Sequence, residues 1–174
     1  GCLGPWLAEW QGAADIPAGP LEYHGGSVLG HTCRVVDDLA GAEQAAWMGW
    51  CHDLGKTQTP PAQWPHHYRH EHRGADAAHV QGQRVRLPRR LILAGSLAAR
   101  WHMLAGRYYQ LRAGTKLDLL LRVHQAGLVE PFCALAAADG TPGLLGRMRA
   151  DLDQVLFVRL PPEKRNRGQA SGEY

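Results

Sequence analysis

No apolar run in this 174-residue chain approaches the roughly 18 residues needed to cross a bilayer, which excludes a membrane-spanning helix from the reading. The start, Gly1-Cys2-Leu3-Gly4-Pro5-Trp6, lacks a basic n-region and soon meets Glu9, so no secretory signal is expected. It opens on Gly rather than Met, as a cut or processed chain does. The four cysteines, Cys2, Cys33, Cys51 and Cys133, show no paired spacing and no CxxC, so there is no disulfide framework to read. Cys33, Cys51 and Cys133 lie in apolar helical context and are expected to be reduced and buried, as in a cytoplasmic protein. Strand-like alternation and internal repeats are also missing. What is there is 45% apolar composition, enough for one domain with a single core.

The formal charge is only +3, too small to establish nucleic-acid binding. Basic residues nevertheless cluster at Arg84, Arg86, Arg89 and Arg90, and again at Arg159, Lys164, Arg165 and Arg167. They fit either a phosphate-bearing partner or solvated helix faces and a frayed tail.

Helical spacing dominates the chain. Val35, Val36 and Leu39 share a face after His31, and Gly41 ends that run. Glu43 to Leu54 reads as a helix with Ala46, Trp47, Trp50 and Leu54 inward and Gly55 as its stop. The segment from Thr57 to His67 carries Pro60, Pro61 and Pro65, too many for regular structure, and reads as a functional rim. Further helices are expected over His70–Gln83, from Pro88 through Leu91, Leu93, Leu97 and Trp101, and over Lys116–Gln125 with Thr115 as N-cap. Two more run from Pro131 to about Asp139 and from Gly143 to Phe157. The expected fold is an all-α bundle of about six or seven helices over residues 27–160. A Gly/Pro-rich lead-in covers 1–26, with Trp6 and Trp10 as anchors, and a disordered basic tail covers 161–174.

The chemistry concentrates in Cys51-His52-Asp53-Leu54-Gly55-Lys56. Adjacent helix residues point about 100° apart, so His52 and Asp53 reach one cation only near a helix end. His31 upstream and Asp139 before Gly140 also fall at helix ends, and each alone reads as an ordinary capping or loop residue. Together, His31, His52, Asp53 and Asp139 supply the mixed nitrogen and oxygen donors that suit Ni, Mn, Co, Fe, Mg or Zn. A divalent ion with one position left to water makes hydroxide available near neutral pH, which is how phosphate esters are hydrolysed.

His-x20-His-Asp-Leu-Gly-Lys followed by a distant Asp resembles the HD superfamily of metal-dependent phosphohydrolases. With Thr59-Pro60-Pro61 and Trp64-Pro65-x-His67-x-x-His70-x-x-x-Gly74 added, the chain is most similar to the HD domain of bacterial CCA-adding tRNA nucleotidyltransferases, over roughly residues 20–140. Tyr23 to Thr32 resembles the approach to the first histidine of that family, and Thr115 to Asp139 its closing helices. The resemblance implies a cytoplasmic phosphatase or 2′,3′-cyclic phosphodiesterase acting on nucleotide or RNA-end phosphates, with tRNA as a further partner. By position, His31, His52, Asp53 and Asp139 would hold one metal, with His70 and His102 open to a second metal or to substrate phosphate. Asp53 would also orient the attacking water. Lys56, His67, His70, Arg73 and His102 would face the substrate, Lys56 as a phosphate contact that is otherwise a solvated helix-end charge.

The chain also departs from the pattern. Related domains often read Phe-His-Asp where this one has Trp101-His102-Met103, which takes a carboxylate from the second metal position. No glycine pair precedes an Asp-x-Asp in the first 30 residues, and Asp37-Asp38 is adjacent and expected to be helical, so nothing in these residues resembles a nucleotidyltransferase head, as expected of either a stand-alone HD enzyme or an excised domain. His66 and His72 read as loop surface, and His24, His79 and His124 as structural. The rival to an enzyme is an RNA-binding or interaction domain on a degenerate scaffold, drawing on Arg84 to Arg90. The residues leave the oligomeric state open.

Overall fold

The computed structural model describes residues 4, 6–20 and 26–158. Arg159, Lys164, Arg165, Arg167, the tail 161–174, Cys2 and His24 lie outside them. Among the described residues there are seven α-helices and no strand, only an isolated bridge between Pro17 and Ser27. The all-α expectation holds. No helix among these residues is long and apolar enough to cross a membrane.

Helix α1 is Val28–Asp38, starting three residues before His31 because the Ser27 hydroxyl accepts from Gly30 N at 3.1 Å. Helix α2 is Glu43–Cys51 and ends four residues before Gly55. Its fully buried positions are Ala45, Met48, Gly49 and Cys51 rather than Ala46, Trp47 and Trp50, which are half-buried. The two indoles lie across the neighbouring helices because their N–H groups need acceptors: Trp47 donates to the Leu91 carbonyl at 2.8 Å and Trp50 to Gln81 Oε1 at 3.2 Å.

The proline-rich segment is more regular than expected, with short 3-10 turns over Leu54–Gln58 and Pro61–Gln63. Helices α3 (His70–Arg84) and α4 (Arg89–Ala105) follow, and Pro88 sits just outside α4 as its N-cap. Helix α5 is Ala113–Gln125 and begins before Thr115, which lies exposed in its first turn. Helix α6 is Val129–Ala138, with Pro131 in a first turn where its missing N–H costs nothing. Helix α7 is Leu144–Phe157.

Gly55 has a different use from a helix stop. A Cβ there would overlap the His70 carbonyl and the backbone nitrogen of Gly74, so two glycines let the turn after α2 lie directly on α3. One core of α1, α2 and α4–α7 centres on Met48, Tyr108, Leu119, Phe132 and Met148. A smaller one joins Trp10, Ala13 and Ile16 to Val28, Cys51, Leu54, Ala77 and Ala78. Cys51 and Cys133 are buried and unpaired as expected, whereas Cys33 is exposed, because it lies on the solvent side of α1 next to Arg34.

Candidate metal centre

His52 and Asp53 follow the last residue of α2, where the chain leaves α-geometry, and so both side chains reach inward. They are 0% and 1% exposed. His31 comes from α1, His70 from the first residue of α3, His102 from the last turn of α4, and Asp139 caps α6. All six converge.

The two oxygens of Asp53 face different partners. Oδ2 lies 3.3 Å from His52 Nε2 and 3.6 Å from His31 Nε2, and those two nitrogens are 3.1 Å apart. Asp139 Oδ1 joins this group at 3.1 Å from His31 Nε2 and 3.9 Å from His52 Nε2. Oδ1 of Asp53 lies 3.5 Å from both His70 Nε2 and His102 Nε2, themselves 3.3 Å apart. Donors about 2.1 Å from one ion at ordinary coordination angles sit roughly 3.0–3.4 Å from each other. Both groups have close to that spacing, and either could hold a metal ion.

The hydrogen bonds behind the rings point the same way. A carbonyl can only accept, so Nδ1–H of His52 donates to Gly49 O at 2.6 Å and Nδ1–H of His70 donates to His67 O at 2.9 Å. His102 Nδ1–H is shared between Ala98 O and Ala99 O at 3.2 and 3.1 Å. With Nδ1 engaged in this way, each ring in its neutral form turns a bare Nε2 lone pair toward the others. Asp53 Oδ1 is buried with no hydrogen-bond partner among the described residues. An orphaned carboxylate oxygen facing two imidazole lone pairs is costly in a dry site unless a cation lies among them.

Charge tuning follows from burial and from these neighbours. Burial alone would raise Asp53, but Lys56 and His52 hold its carboxyl well below the usual range. Burial opposes protonation of His52, yet Asp53 and Asp139 outweigh it and raise its pKa. For His70 burial wins over the opposing pull of Asp53 and pushes it down to about 4. Asp139 is lowered against burial by its hydrogen bond to His31 and by His52.

The remaining sequence candidates sit around this cluster with different contacts. Lys56 is buried, donating to Asp53 Oδ2 and to the Ala18 carbonyl, both at 2.7 Å, so its ammonium is engaged within the protein rather than solvated. His67 is buried too, with Nε2 donating to Pro17 O at 2.7 Å and Nδ1 paired with Thr59 Oγ1 at 2.5 Å. Arg73 donates to the Tyr68 carbonyl. Met103 is 43% exposed, so the carboxylate expected at that position would face away from the buried His102. Arg84 pairs with Glu9 at 2.7 Å, leaving Arg86, Arg89 and Arg90 exposed. His66, His72, His79 and His124 are exposed.

Thr59, Pro17 and Ala18 were not legible as parts of this assembly. Two are backbone acceptors, which no side-chain pattern encodes. Thr59 is a threonine among prolines whose hydroxyl lies 2.5 Å from both the Lys56 carbonyl and His67 Nδ1. Beside the cluster, His102, Phe132, Asp139 and Thr141 help line a small cavity of about 10 Å³, on the scale of a single water site.

No protein-family model and no solved structure matches the chain. It is similar to curated bacterial proteins named "Multifunctional CCA protein". It is 37% identical to that of Alkalilimnicola ehrlichii over 167 residues, which is 91% of this chain and 40% of the relative. With the Nitrosococcus oceani protein it shares 35% identity over 164 residues, covering 89% of this chain and 40% of the relative. The Halorhodospira halophila protein is 32% identical over 165 residues, again 91% of this chain and 40% of its own length. The chain thus spans about two fifths of the length of these relatives, and its similarity is to that portion of a Multifunctional CCA protein.

Proposed function

We propose that this chain is an HD-type metal-dependent phosphohydrolase acting on nucleotide or RNA-end phosphates, with a 2′,3′-cyclic phosphate as the substrate argued for first. The observation that carries the reading is the orphaned Asp53 Oδ1 facing two imidazole nitrogens, with a second donor group on its other oxygen. His31, His52, Asp53 and Asp139 would hold one ion, and Asp53, His70 and His102 a second. Bound there, a divalent cation supplies Lewis acidity toward phosphoryl oxygens and acidifies water.

The chain's own groups do the rest. Lys56 keeps Asp53 ionised and fixes its Oδ2, and the backbone carbonyls fix the histidine rings. Asp139, at 21% the most exposed of the candidate donor side chains, would lie on the side from which a phosphate reaches the cluster. His102 and Asp139 line the adjoining cavity. Within this reading residues 27–160 form the phosphohydrolase unit, and Pro17 and Ala18 tie the lead-in 1–26 to it through His67 and Lys56.

The test is elemental analysis of the purified chain, followed by assay of the metal-replete protein on 2′,3′-cyclic and linear nucleotide phosphates. Turnover that chelator removes, and that His52→Ala and Asp53→Ala abolish, is expected. A metal-replete protein inactive on all of these would end the reading, and turnover surviving both substitutions would place catalysis elsewhere. A second reading, an RNA-binding module such as one for tRNA, draws on the exposed Arg86, Arg89 and Arg90. It requires salt-sensitive RNA binding that persists in chelator.

A further inference from the structure

The loop that delivers His70 to the cluster displays something the phosphate chemistry does not use. Its residues alternate sharply: His66 is exposed, His67 is 1% exposed, Tyr68 is 63% exposed, Arg69 is exposed and His70 is 5% exposed. His67 and Arg69 both adopt left-handed backbone, with φ of 49° and 60°, a conformation that carries a steric cost for side chains other than glycine. Those two reversals turn His66 and Tyr68 to the same side, where their rings stack with centroids 5.6 Å apart and planes inclined by 23°.

The loop is braced from beneath. His67 is pinned to Thr59 and Pro17, Trp64 donates to the Thr59 carbonyl at 3.2 Å, and Arg73 donates to the carbonyl of Tyr68 itself. The His67 carbonyl in turn orients the His70 ring. Tyr68 is two residues from His70, so its Cα lies within about 7 Å of that of the donor residue. A solvent-facing aromatic pair on a braced backbone, followed by the exposed Arg69 and two residues from a candidate metal-site histidine, has the makings of a stacking surface for a flat π-system attached to a phosphate.

We propose that His66 and Tyr68, with Arg69 beside them, form a nucleobase-stacking platform that holds the base of the substrate while its phosphate occupies the His/Asp cluster. The proposal rests on the phosphohydrolase reading for the phosphate but specifies a different property, recognition of the base. Stacking is tolerant of base identity, so the platform selects nucleotides over base-free sugar phosphates without selecting a sequence. A mononucleotide and the end of an RNA strand present the same base face to such a platform.

Calorimetric titration of the full chain with adenosine 5′-monophosphate, ribose 5-phosphate and a 3′-phosphorylated triadenylate tests it without needing turnover. The wild type should bind at least one adenine ligand about 5–100-fold tighter than ribose 5-phosphate, the range that base stacking on one aromatic provides. Tyr68→Ala should remove that preference while leaving ribose 5-phosphate binding unchanged, Tyr68→Phe should restore it, and His66→Ala should weaken it less. A preference shown by the triadenylate alone supports the platform and assigns it to RNA ends. Equal adenine affinity in wild type and Tyr68→Ala, or no preference for either adenine ligand in the wild type, would overturn the proposal. A Tyr68-dependent preference in a protein that hydrolyses no phosphate ester keeps the platform and removes the phosphohydrolase reading instead.

Discussion

The two oxygens of Asp53 set two kinds of donor group side by side. On the Oδ2 side the protein balances its own charges: Lys56 sits 2.7 Å away, Asp139 brings a second carboxylate, and His52 is raised toward its protonated form. On the Oδ1 side the described residues bring no lysine or arginine into ion-pair reach and no hydrogen bond, only the two imidazoles of His70 and His102 at 3.5 Å. The first group thus pairs a carboxylate with a lysine, whereas the second sets one carboxylate oxygen against two imidazoles alone among the described residues. Anionic oxygen attracts a hard dication more than neutral nitrogen does, so the group with two carboxylates should fill first and the group of imidazoles second.

Asp53 belongs to both groups, so its loss should have the largest effect. Asp53→Asn should leave the purified protein without stoichiometric metal and reduce phosphohydrolase turnover to background. Elemental analysis that still finds a bound ion in this variant would show the groups to be independent of their shared residue.

Substitutions confined to one side should then separate them. His52→Gln is expected to weaken the tighter ion by at least about 100-fold, beyond the roughly 10–100-fold that an outer hydrogen-bond partner is worth. His102→Gln should spare that ion and remove only the weaker one, dropping the stoichiometry from two to one at saturating metal. The reverse pattern would mean that the orphaned Oδ1 side is the tighter site.

Lys56 sharpens the comparison through stability. Lys56→Met takes the cation from a buried pair, which costs about 3–5 kcal/mol when the partner charge stays behind. Urea denaturation of the chelated protein should show a loss of that size, and the metal-loaded protein a smaller one, because a bound ion takes over the neutralisation of Asp53. Equal losses in both states would separate Lys56 from the metal chemistry.

How much of this was legible in the sequence depended on which atoms carry the function. The all-α architecture and the candidate donors His31, His52, Asp53, Asp139, His70 and His102 are side-chain patterns, and the fold brings all six together. The division of the cluster by the two Asp53 oxygens was not readable, since it depends on which way a carboxylate turns. The roles expected for Lys56 and His67 missed their contacts with Ala18 and Pro17, because a backbone carbonyl has no residue signature. Gly55 looked like a helix stop because glycine serves both turns and close backbone approach, and only the packing of α3 distinguishes them. The absent carboxylate at Met103 looked like damage to the second site. The Met103 side chain is exposed, and the carboxylate oxygen that lies 3.5 Å from His102 is Asp53 Oδ1.

The smallest effect tests the Oδ1 side directly, through pH. In the metal-free fold burial holds His70 down at about 4, against 6.5 when exposed. Between those values the unfolded chain binds the proton and the folded chain does not, so the contribution of His70 to stability rises with pH. It is fully present above about pH 6.5, declines as pH falls, and is gone by about pH 4, a change on the order of 3 kcal/mol. His52 runs the other way: its raised pKa gives stability that is present below 6.5 and is lost as pH climbs through its folded value. Asp53, held well below 3.8, loses its contribution only at lower pH still. Comparing wild type with His70→Asn in chelator cancels the His52 and Asp53 contributions to first order. Wild-type stability relative to the variant should therefore fall between pH 6.5 and 4 and level off below. A flat difference across that window would mean that His70 is protonated in the metal-free fold, with Asp53 Oδ1 as its partner, and the contrast between the two sides of Asp53 would disappear.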